Sequence, residues 1–558
     1  QVEMMDLCAG AKPSPKRLEV LRQLAEVFFS EERLKEVVAI SDLADDALAW
    51  AAAHGVVMYK DPAVKAQATT IPFTLLPSPF AEELYAEAYR MAPDFHVLMD
   101  NVVLDLPWIA DALQRTGEMD TICGGLLGIC SRVYGQGAKD HGQDIRLHIM
   151  RNDFMLDTRS QSAGLALRQI ELNMIAASFS THAQDATEVH RYLLSKYLPR
   201  LGGAFAEPDA LGPVLEAALP ASPSAAGLAG ALAEAHRSYV GRWPVPAAAV
   251  RVVLFVAEVS ENNELDHRKL EAALFRGHGV VSLRRSLAQL AEQRELLTPL
   301  AVPSPDQAPR ALIVEGHEVT VAYFRSGYWP GHFSPAEACW AAREAIEVSE
   351  AVKCPSAPAQ LAGMKKVQQL LCEPACLHRF LAPERAAALA RTFARMGDPG
   401  GDSAEANVCL KAASEDPDSW VLKPQVEGSG ELFFGGDIAA VLASKTKAEL
   451  AEFILMERVR PPATPSAVYR AEPGKRAEAV VRASVGELGI FGTFLADGGR
   501  VLRNETVGHL LRSKGQQTNQ GGVFVGNAVV DTPLLLPPEL FWPAVSAVDM
   551  PAEKRQRR

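Results

Sequence analysis

A lysine, a carboxylate and a glycine-rich turn lie within one short stretch of this sequence, WVLKPQVEGSGELFFGG at residues 420–436. An apolar run ends at Lys423 and Pro424, Glu427 follows four residues after the lysine, and glycines come next. Backbone N–H groups of a glycine-rich turn can surround a phosphate, because glycine lets the backbone approach closely. The stretch therefore indicates a site for an anion, although an ordinary hairpin loop has the same composition.

A second candidate is a pair of oxygen-bearing side chains on one predicted strand. The run LALRQIELN (165–173) alternates as strands do, which should place Gln169, Glu171 and Asn173 on one face. Mg²⁺ prefers such oxygen ligands and usually bridges to substrate phosphates, and Glu427 could supply a third ligand. The spacing is also common on solvated strand faces, so this pair alone leaves both interpretations open.

Cations suited to the same ligand stand elsewhere in the chain. Arg512 and Lys514 are two apart in VGHLLRSKGQQ, and Arg151 lies in RNDF. Arginine clamps carboxylates and transferring phosphoryl groups, whereas an ordinary surface charge is the alternative for each one separately. The Walker pattern G-x-x-x-x-G-K-[ST], a convincing G-x-G-x-x-G, G-x-S-x-G and H-E-x-x-H are all absent from the sequence.

The tightest cluster of potential thiol and imidazole metal ligands is Cys372, Cys376 and His378 in LCEPACLHRF. A structural zinc site would need a second ligand pair at matching spacing, and the sequence has none. The eight cysteines are irregularly spaced, which favours reduced thiols in an intracellular protein. We therefore expect packed thiols near a helix end.

Composition bounds the class of protein. The chain has 558 residues, 48% hydrophobic and 22% charged, which is typical of a globular protein with two or three packed units. Its net charge of −12 argues against nucleic acid as a partner. No apolar run approaches the ~20 residues that cross a bilayer, so no membrane partner is expected.

The elements that must position these residues follow from periodicity. Ser14-Pro15 opens an amphipathic helix, IPFTLLPSPF (71–80) carries too many prolines for a helix interior, and residues 81–140 are mainly helical. Residues 202–248, rich in Ala, Pro and Gly, are expected to be a linker or a surface excursion. A later helix carries AQLAGMKKVQQLL. The remaining strands are predicted in VRVVLFVA (250–257), GVVSL (279–283), ALIVEG, VTVAYF, WVLKP, EFILMERV, AVVRASV and IFGTFLA, the last closed by the turn DGG at 497–499.

This order predicts a mixed α/β (α+β) protein with an inserted unit. Strand, helix and strand in succession after residue 248 indicate an α/β domain with a parallel sheet. The predicted division is 1–247 for a helical region plus a first α+β half, 248–357 for the inserted domain, and 358–558 for a second half with the glycine-rich loop.

At this point the motifs, taken together, resemble one family, the eukaryotic-type glutathione synthetases, which are ATP-grasp ligases. The similarity spans about residues 71–531 and is carried by RNDFML, LRQIELNMIAASF, ENNELDHRKLE, VAYFRSGYWP, KCPSAPAQLAGMKKVQQ, VLKPQVEGSG, FILMERV, GELGIFG and VGHLLRSK. The resemblance implies an ATP-grasp fold in which the inserted domain binds substrate and the glycine-rich loop is a lid over the ATP phosphates.

The resemblance also implies a reaction, namely ATP- and Mg²⁺-dependent ligation of γ-glutamylcysteine to glycine through an acyl phosphate. Products would be glutathione, ADP and phosphate, with two Mg²⁺ ions bound beside ATP. The expected partners are these small molecules and a second copy of the chain, as a homodimer. The expected location is the cytoplasm, with a plastid or another organelle as the alternative if a transit segment precedes Gln1. A non-catalytic relative that binds nucleotide or thiol peptides is the alternative from a different class.

The site residues implied by the resemblance fall into four overlapping groups. The catalytic group is Arg512, Lys365 and Lys423, and the metal ligands are Glu171, Asn173 and Glu427. The ATP-binding group is Glu171, Lys365, Lys423, Glu427, Gly428, Ser429, Gly430, Phe434, Met456, Glu457, Arg458, Val459, Glu487 (at the ribose), Lys514 and Gln520. The substrate-binding group is Arg151, Ile175, Ala176, Ala177, Ser178, Glu261, Asn262, Asn263, His267, Arg325, Ser326, Gly327, Tyr328, Arg512, Val523 and Phe524.

Several positions depart from the family pattern. Phe524 and Val525 in GGVFVG stand where small alanines are usual, beside the pocket of the attacking amino acid. Bulkier side chains would reshape that pocket, where one methylene is worth ~1–3 kcal/mol of discrimination. Glycine is the default acceptor, with β-alanine or serine as alternatives. The other departures are His267, Glu431, Leu432 and Gln520.

Overall fold

The computed structural model describes residues 14–548 except 41, 136–142, 160–163, 207, 294, 301–308, 426–430, 471–477, 519–521 and 524–525. Predicted residues outside this range are Glu427, Gly428, Ser429, Gly430, Gln520, Phe524 and Val525. Among the described residues, no helix combines the length and the apolar character that crossing a membrane requires.

Helices surround the sheets and begin in the predicted way. Ser14 caps the first helix, its Oγ accepting the Arg17 backbone N–H at 3.3 Å. The helices are α1 (Pro15–Phe28), α2 (Glu31–Val38), α3 (Leu43–Ala53), α4 (Glu82–Leu104), α5 (Leu106–Met119), α6 (Thr121–Tyr134), α7 (Ser180–Tyr197), α8 (Pro208–Ala218), α9 (Ser224–Arg242), α10 (Glu264–His278), α11 (Leu287–Ala291), α12 (Ala336–Val348), α13 (Ala357–Ala362), α14 (Lys365–Leu371), α15 (Pro374–Phe380), α16 (Pro383–Ala390), α17 (Ala404–Glu415), α18 (Gly436–Ser444), α19 (Lys447–Leu450) and α20 (Pro538–Val548).

The strands are β1 (Val57–Tyr59), β2 (Ala68–Thr70), β3 (Ser78–Ala81), β4 (Ile145–Asp157), β5 (Ala166–Asn173), β6 (Arg251–Val256), β7 (Ser282–Arg285), β8 (Leu297–Pro299), β9 (Arg310–Val314), β10 (His317–Phe324), β11 (Val352–Cys354), β12 (Met396–Gly397), β13 (Trp420–Pro424), β14 (Phe433–Phe434), β15 (Phe453–Glu457), β16 (Thr464–Arg470), β17 (Glu478–Asp497), β18 (Arg500–Gly515), β19 (Ala528–Asp531) and β20 (Pro533–Leu536).

An antiparallel central sheet joins the two ends of the chain. Its order is β19-β18-β17-β4-β5, and β16 pairs with β17. The long strands β17 and β18 form a hairpin across the predicted DGG turn, where Gly498 has a φ of +57°. Strands from before residue 180 and after residue 460 therefore lie side by side in this sheet.

The strands between residues 248 and 357 form a sheet of their own. The order is β7-β6-β10-β9-β8, with β11 also on β10. Strands β7, β6, β10 and β11 are parallel as predicted, but β9 runs antiparallel to both of its neighbours, β10 and β8. The reason is local, because only the two residues of a tight turn, Glu315 and Gly316, separate β9 from β10.

A third sheet, β12-β15-β13-β14, is antiparallel and carries Lys423 and Met456. It lies against helix α14, which begins at Lys365. The predicted helix over AQLAGMKKVQQLL is divided into α13 and α14 at Gly363 and Met364. This break places Lys365 at a helix start.

Two predictions of the chain's course are wrong. Residues 202–248 are not a linker, because α9 packs against β4, β17 and β18 with Leu228, Leu232 and Tyr239 fully buried. Small residues permit this approach, since a Cβ on Gly227 would lie 2.4 Å from Cβ of Val507. The runs AVVRASV and IFGTFLA are also not separate strands but parts of β17.

Candidate active site

Three carboxylates from three neighbouring strands converge on one face of the central sheet. Asp153 on β4, Glu171 on β5 and Glu487 on β17 have carboxylate oxygens within 4.8 Å of one another. Asp153 and Glu171 are direct cross-strand partners, and Gly489 of β17 stands opposite Asp153. Like charges this close require nearby cations or a metal ion.

Arginines supply part of that compensation. Arg151 donates to Asp153 from Nε and one terminal nitrogen, at 2.6 and 2.7 Å. Arg512 donates to Asp153 at 3.0 Å and also to Glu487. The Asn173 amide donates to Asp153 at 3.1 Å and to Glu171 at 3.3 Å. Four predicted residues, Arg151, Glu171, Asn173 and Arg512, are thus brought together around a carboxylate, Asp153, that was not predicted.

Lysines from α14, β13 and β18 add positive charge to the same cluster. Burial opposes ionisation of Glu171, but the charges of Lys365, Arg512 and Lys423 outweigh it and lower the pKa to about 2. Burial lowers the pKa of Lys423, against the opposing effect of Glu171, and burial likewise lowers the pKa of Lys514. A cationic rim from α14, β13 and β18 therefore faces the carboxylates, as an anion site requires.

Gln169 does not share this face, contrary to the prediction. The pairing of β4 with β5 skips Ile170, so that Asp153 faces Glu171 whereas Phe154 faces Gln169. A one-residue bulge reverses the alternation of side chains beyond it. Gln169 is therefore buried on the opposite face, and only Glu171 and Asn173 of the predicted set remain.

The donor set fits Mg²⁺. Its members are the hard carboxylate oxygens of Asp153, Glu171 and Glu487 and the adjacent amide of Asn173. The lysines near Glu171 could bind phosphate oxygens. A thiol or imidazole set, which would suit zinc, does not occur here among the described residues. The expectation that Cys372 is a packed thiol is supported, because burial raises its thiol pKa to about 12.

The third sheet provides an apolar surface next to the lysines. Met456 and Val421 are cross-strand partners, and Lys423 pairs with Ile454 two residues along the strand, so the lysine shares their face. Met456 is 2% exposed and packs with Ile454. An apolar sheet face that ends at a lysine suits a flat aromatic group attached to phosphates.

The chain leaving β15 holds the remaining predicted nucleotide residues. The Arg458 guanidinium lies 5.1 Å from the ring centroid of Phe434. Glu457 pairs with Arg159 at 2.8 Å, and Val459 packs beside Met155. All three lie at the C-terminal end of β15, whereas Glu487, predicted at the ribose, contacts Arg512 within the carboxylate cluster.

A second polar cluster surrounds Arg325 at the end of β10. Its guanidinium donates to the Ala177 backbone oxygen at 2.7 Å, Ser178 Oγ at 2.9 Å and His267 Nε2 at 3.0 Å. Arg325 also donates to the Tyr323 hydroxyl oxygen at 3.1 Å. The predicted residues from β5–α7, α10 and β10 thus meet at one arginine.

Glu261 and His267 extend this cluster. Burial raises the pKa of Glu261 to about 7, although Arg325 and Arg284 oppose the rise. Burial also lowers the pKa of His267 well below its usual value, and Arg325 and Arg284 act in the same direction, so the imidazole is neutral. Arg284, which was not predicted, has a guanidinium nitrogen 3.1 Å from His267 Nδ1 and lies 3.7 Å from Glu261.

The loop between β5 and α7 connects the two clusters. Ser178 accepts from Arg151 through its backbone oxygen at 3.2 Å and from Arg325 through Oγ at 2.9 Å. Asp266 of α10 holds this loop, accepting the backbone N–H groups of Phe179 and Thr181, both at 2.9 Å. Phe179 has a φ of +67°, a strained value that these bonds maintain.

Other predicted residues lie around this loop. Asn263 donates to Asp266 at 3.3 Å, and Ser326 donates to the Val256 oxygen at 3.3 Å. Ile175 and Tyr328 line a cleft that Asn173 also lines. The remaining positions are Ala176 (φ +51°), Asn262, which is exposed, Gly327, whose N–H donates to His332, and Val523, which is buried.

Three residues were missed by sequence reasoning, namely Asp153, Arg284 and Asp266. Asp153 stands two residues after Arg151, so strand alternation could have placed both on one face. Asp266 and Arg284 carry no such local signal, because their partners are distant in sequence.

Comparison with known proteins agrees with this geometry. The sequence model of the "Eukaryotic glutathione synthase, ATP binding domain" matches residues 38–535. Glutathione synthetase of Bos taurus is 35% identical over 90% of this chain and 98% of its own. "Glutathione synthetase, chloroplastic" of Arabidopsis thaliana is 33% identical over 89% of this chain and 86% of its own.

A solved structure shares the fold. The glutathione synthetase-like effector of Globodera pallida, in its apo form, superposes with a TM-score of 0.65 at 20% identity, covering 89% of this chain and 96% of its own. The predicted fold class and the predicted resemblance are confirmed. The chain belongs to the eukaryotic glutathione synthase family and is an ATP-dependent ligase.

Proposed function

We propose that this protein joins γ-glutamylcysteine to glycine at the cost of ATP, giving glutathione, ADP and phosphate. The single observation that carries the proposal is the position of Ser178, which contacts Arg151 beside the carboxylates and Arg325 in the inserted domain. One dipeptide lying along this loop would present one end to Arg325 and the other to the carboxylate cluster.

The chemistry would run in two steps. A cysteinyl carboxylate oxygen attacks the γ-phosphorus of ATP, the bond to the bridging oxygen breaks, and ADP leaves. The glycine amine then attacks the acyl carbon, loses a proton, and phosphate departs with its oxygen. Arg512 is placed to stabilise charge in both steps, because its guanidinium already bridges Asp153 and Glu487.

On the nucleotide side, Lys365, Lys423 and Lys514 would contact the phosphates. Glu171 and Asn173 would hold Mg²⁺, with Glu427 and the glycine loop contributing from outside the described residues. The metal would neutralise phosphate charge during transfer. Its donor set here also includes Asp153, and Glu487 is equally close, so a ribose contact by Glu487 stays a prediction.

On the dipeptide side, Glu261 would accept the α-ammonium of the γ-glutamyl group and Arg325 its carboxylate. His267 would bind the dipeptide beside them, and Arg284, with a nitrogen 3.1 Å from His267 Nδ1, would hold the imidazole in place. Arg151 and Arg512 would bind the reacting cysteinyl carboxylate. This division matches each charged end of the dipeptide with an opposite charge.

The acceptor, the assembly and the location are parts of the same proposal. We propose glycine as the acceptor, with β-alanine and serine as the alternatives raised by Phe524 and Val525. We further propose a homodimer, domain limits at residues 247/248 and 357/358, and a location in the cytoplasm or, as the name of the Arabidopsis relative suggests, a plastid.

The test is a reconstituted reaction. Purified protein with ATP, Mg²⁺ and γ-glutamylcysteine should release ADP only when an acceptor is added, and mass spectrometry should show the tripeptide. Parallel reactions with glycine, β-alanine and serine identify the acceptor, and Lys423→Met is the inactive control. ADP release that does not depend on the dipeptide, or none with any acceptor, would overturn the proposal.

A further inference from the structure

A cleft with no lysine or arginine among its described lining residues lies between the two charged clusters. Tyr328, three residues beyond Arg325, lines one side of it, and Asn173, which contacts the carboxylates, lines another. The cleft therefore spans the gap between the site of one end of a ligand and the site of the other. The two charged clusters do not account for the middle of that ligand.

Two buried glutamines line this cleft with unpaired polar atoms. Gln425 is 6% exposed, and among the described residues neither its Nε2 nor its Oε1 has a hydrogen-bond partner. Gln360 is 5% exposed and donates Nε2 to the Gly327 oxygen at 2.8 Å, but its Oε1 has no partner within the described part of the chain. An unpaired buried polar atom is unfavourable, so a ligand that pairs with these atoms binds more tightly.

The rest of the cleft wall is apolar. Met174, Ile175 and Met364 contribute aliphatic and thioether surface. Asp120, the one carboxylate among the lining residues, is engaged as the cap of α6, accepting the Cys123 N–H at 2.7 Å. The cleft thus offers one amide donor, two amide acceptors and an apolar wall, and its lining includes no lysine or arginine.

We propose that Gln360 and Gln425 bind the γ-glutamyl amide bond of the dipeptide. Gln360 Oε1 accepts the amide N–H, Gln425 Nε2 donates to the amide oxygen, and the methionine wall receives the thiol side chain. A secondary amide has one donor and one acceptor, which the two free carboxamides complement. This inference rests on the proposed function, because it assigns the uncharged middle of that substrate.

The other ligands of the site fit this cleft poorly. A free amino acid carries two charges, and the cleft lining offers no cation to its carboxylate. The nucleotide has its own apolar surface at Met456 and Val421 on the third sheet. A neutral amide flanked by a small apolar side chain is the chemistry that remains.

The experiment compares the dipeptide with its ester analogue, in which oxygen replaces the amide N–H. Wild-type protein should bind the amide about tenfold more tightly than the ester, since one hydrogen bond is worth about 1 kcal/mol and an orphaned acceptor adds to it. Isothermal titration without ATP measures this ratio directly, independently of turnover or of any variant.

Two variants then separate the two glutamines. Gln360→Met should bring the amide-to-ester ratio close to one, because the acceptor of the N–H is gone. Gln425→Met should weaken both ligands by a similar factor and preserve the ratio, because both retain the carbonyl oxygen. Gln293→Met is the matched control, because Gln293 accepts the Glu315 N–H within the inserted domain. It should change neither the two affinities nor their ratio.

The outcomes distinguish this inference from the proposed function. If wild-type protein makes tripeptide but binds amide and ester equally, the amide subsite is wrong and the reaction stands. A ratio unchanged by Gln360→Met in a protein that melts normally would also overturn the subsite. If wild-type protein neither binds nor turns over the dipeptide, both proposals fail.

Discussion

Asp153 and Arg151, two residues apart on β4, form a doubly hydrogen-bonded pair at 2.6 and 2.7 Å in the middle of the carboxylate cluster. Both side chains are at least nine-tenths buried, and Asp153 is also bound by Arg512 and Asn173. Burial raises the pKa of Asp153, while the two arginines act against that rise. The pair therefore fixes Arg151 beside the predicted metal ligands Glu171 and Asn173.

The pair requires Gly489 on the neighbouring strand. A Cβ there would lie 2.7 Å from Cδ of Arg151 and 2.7 Å from Oδ1 of Asp153. We expect Gly489→Ala to displace both side chains and to lower kcat/KM for the dipeptide about 100-fold, the scale seen for ~1 Å displacements in active sites. Steady-state kinetics measures this.

Gly486→Ala is the matched control on the same strand. Its Cβ would face the other side of the sheet and meet only the Leu511 side chain, at 3.2 Å from Cδ1. Activity should stay within about threefold of wild type, because a side-chain end can shift to make room. Equal losses in both variants would mean that the strand, and not the pair, is disturbed.

Asp266 positions the connecting loop from the inserted domain. Asp266→Asn replaces a charged acceptor of backbone N–H groups by an amide, and hydrogen bonds to charged groups are worth ~1.5–3 kcal/mol. We expect the KM for the dipeptide to rise at least about tenfold, with a much smaller change in the KM for ATP.

Thr181→Val is the companion variant. It removes only the Oγ1 donor to Asp266, at 2.7 Å, and leaves both backbone bonds in place. Its effect on the dipeptide KM should be clearly smaller. The positioning role of Asp266 is refuted when Asp266→Asn changes the two KM values equally.

Dipeptide binding should depend on pH through Glu261. Burial raises its pKa to about 7 from an ordinary 4.5, so the carboxyl is largely protonated below neutral pH in the free protein. The Kd of the dipeptide should rise up to about tenfold per pH unit below that value, because the proton must leave. Glu261→Gln should bind weakly at every pH; a wild type without pH dependence would exclude this role.

The same group affects stability with a defined sign. Because the folded-state pKa of Glu261 is raised, the folded protein binds more protons than the unfolded chain between pH 4.5 and about 7. Its contribution to the free energy of unfolding is therefore fully present below pH 4.5 and is lost as the pH rises through about 7. Urea unfolding of wild type and Glu261→Gln should converge at the acid end of this range.

Metal dependence should follow Glu171. Removing divalent metal with EDTA should abolish ADP release, and Glu171→Gln should raise the Mg²⁺ concentration for half-maximal activity by at least about tenfold. Glu405→Gln, a surface carboxylate paired with Arg395, is the control and should leave it unchanged. A Glu171→Gln enzyme with an unaltered Mg²⁺ requirement would remove Glu171 from the metal site.

Local sequence patterns were sufficient to predict several of the strands and to recognise the family. Local periodicity placed β5, β6, β10, β13 and β15, and the ordered motifs identified the ligase family, since both are properties of short stretches of chain. Composition misled where tertiary packing overrode it. The Ala- and Gly-rich stretch became the buried helix α9, because small side chains let a helix approach the sheet closely.

Which charged side chains contact each other depended on the tertiary structure. The bulge at Ile170 turned Gln169 away while Glu171 and Asn173 stayed, and strand pairing brought Glu487 and Asp153 to them. Asp266 and Arg284 lie far in sequence from the groups they contact, and Gln360 and Gln425 come from separate segments to line one cleft. Such contacts depend on register and on burial between distant segments, and no local pattern of residues records either.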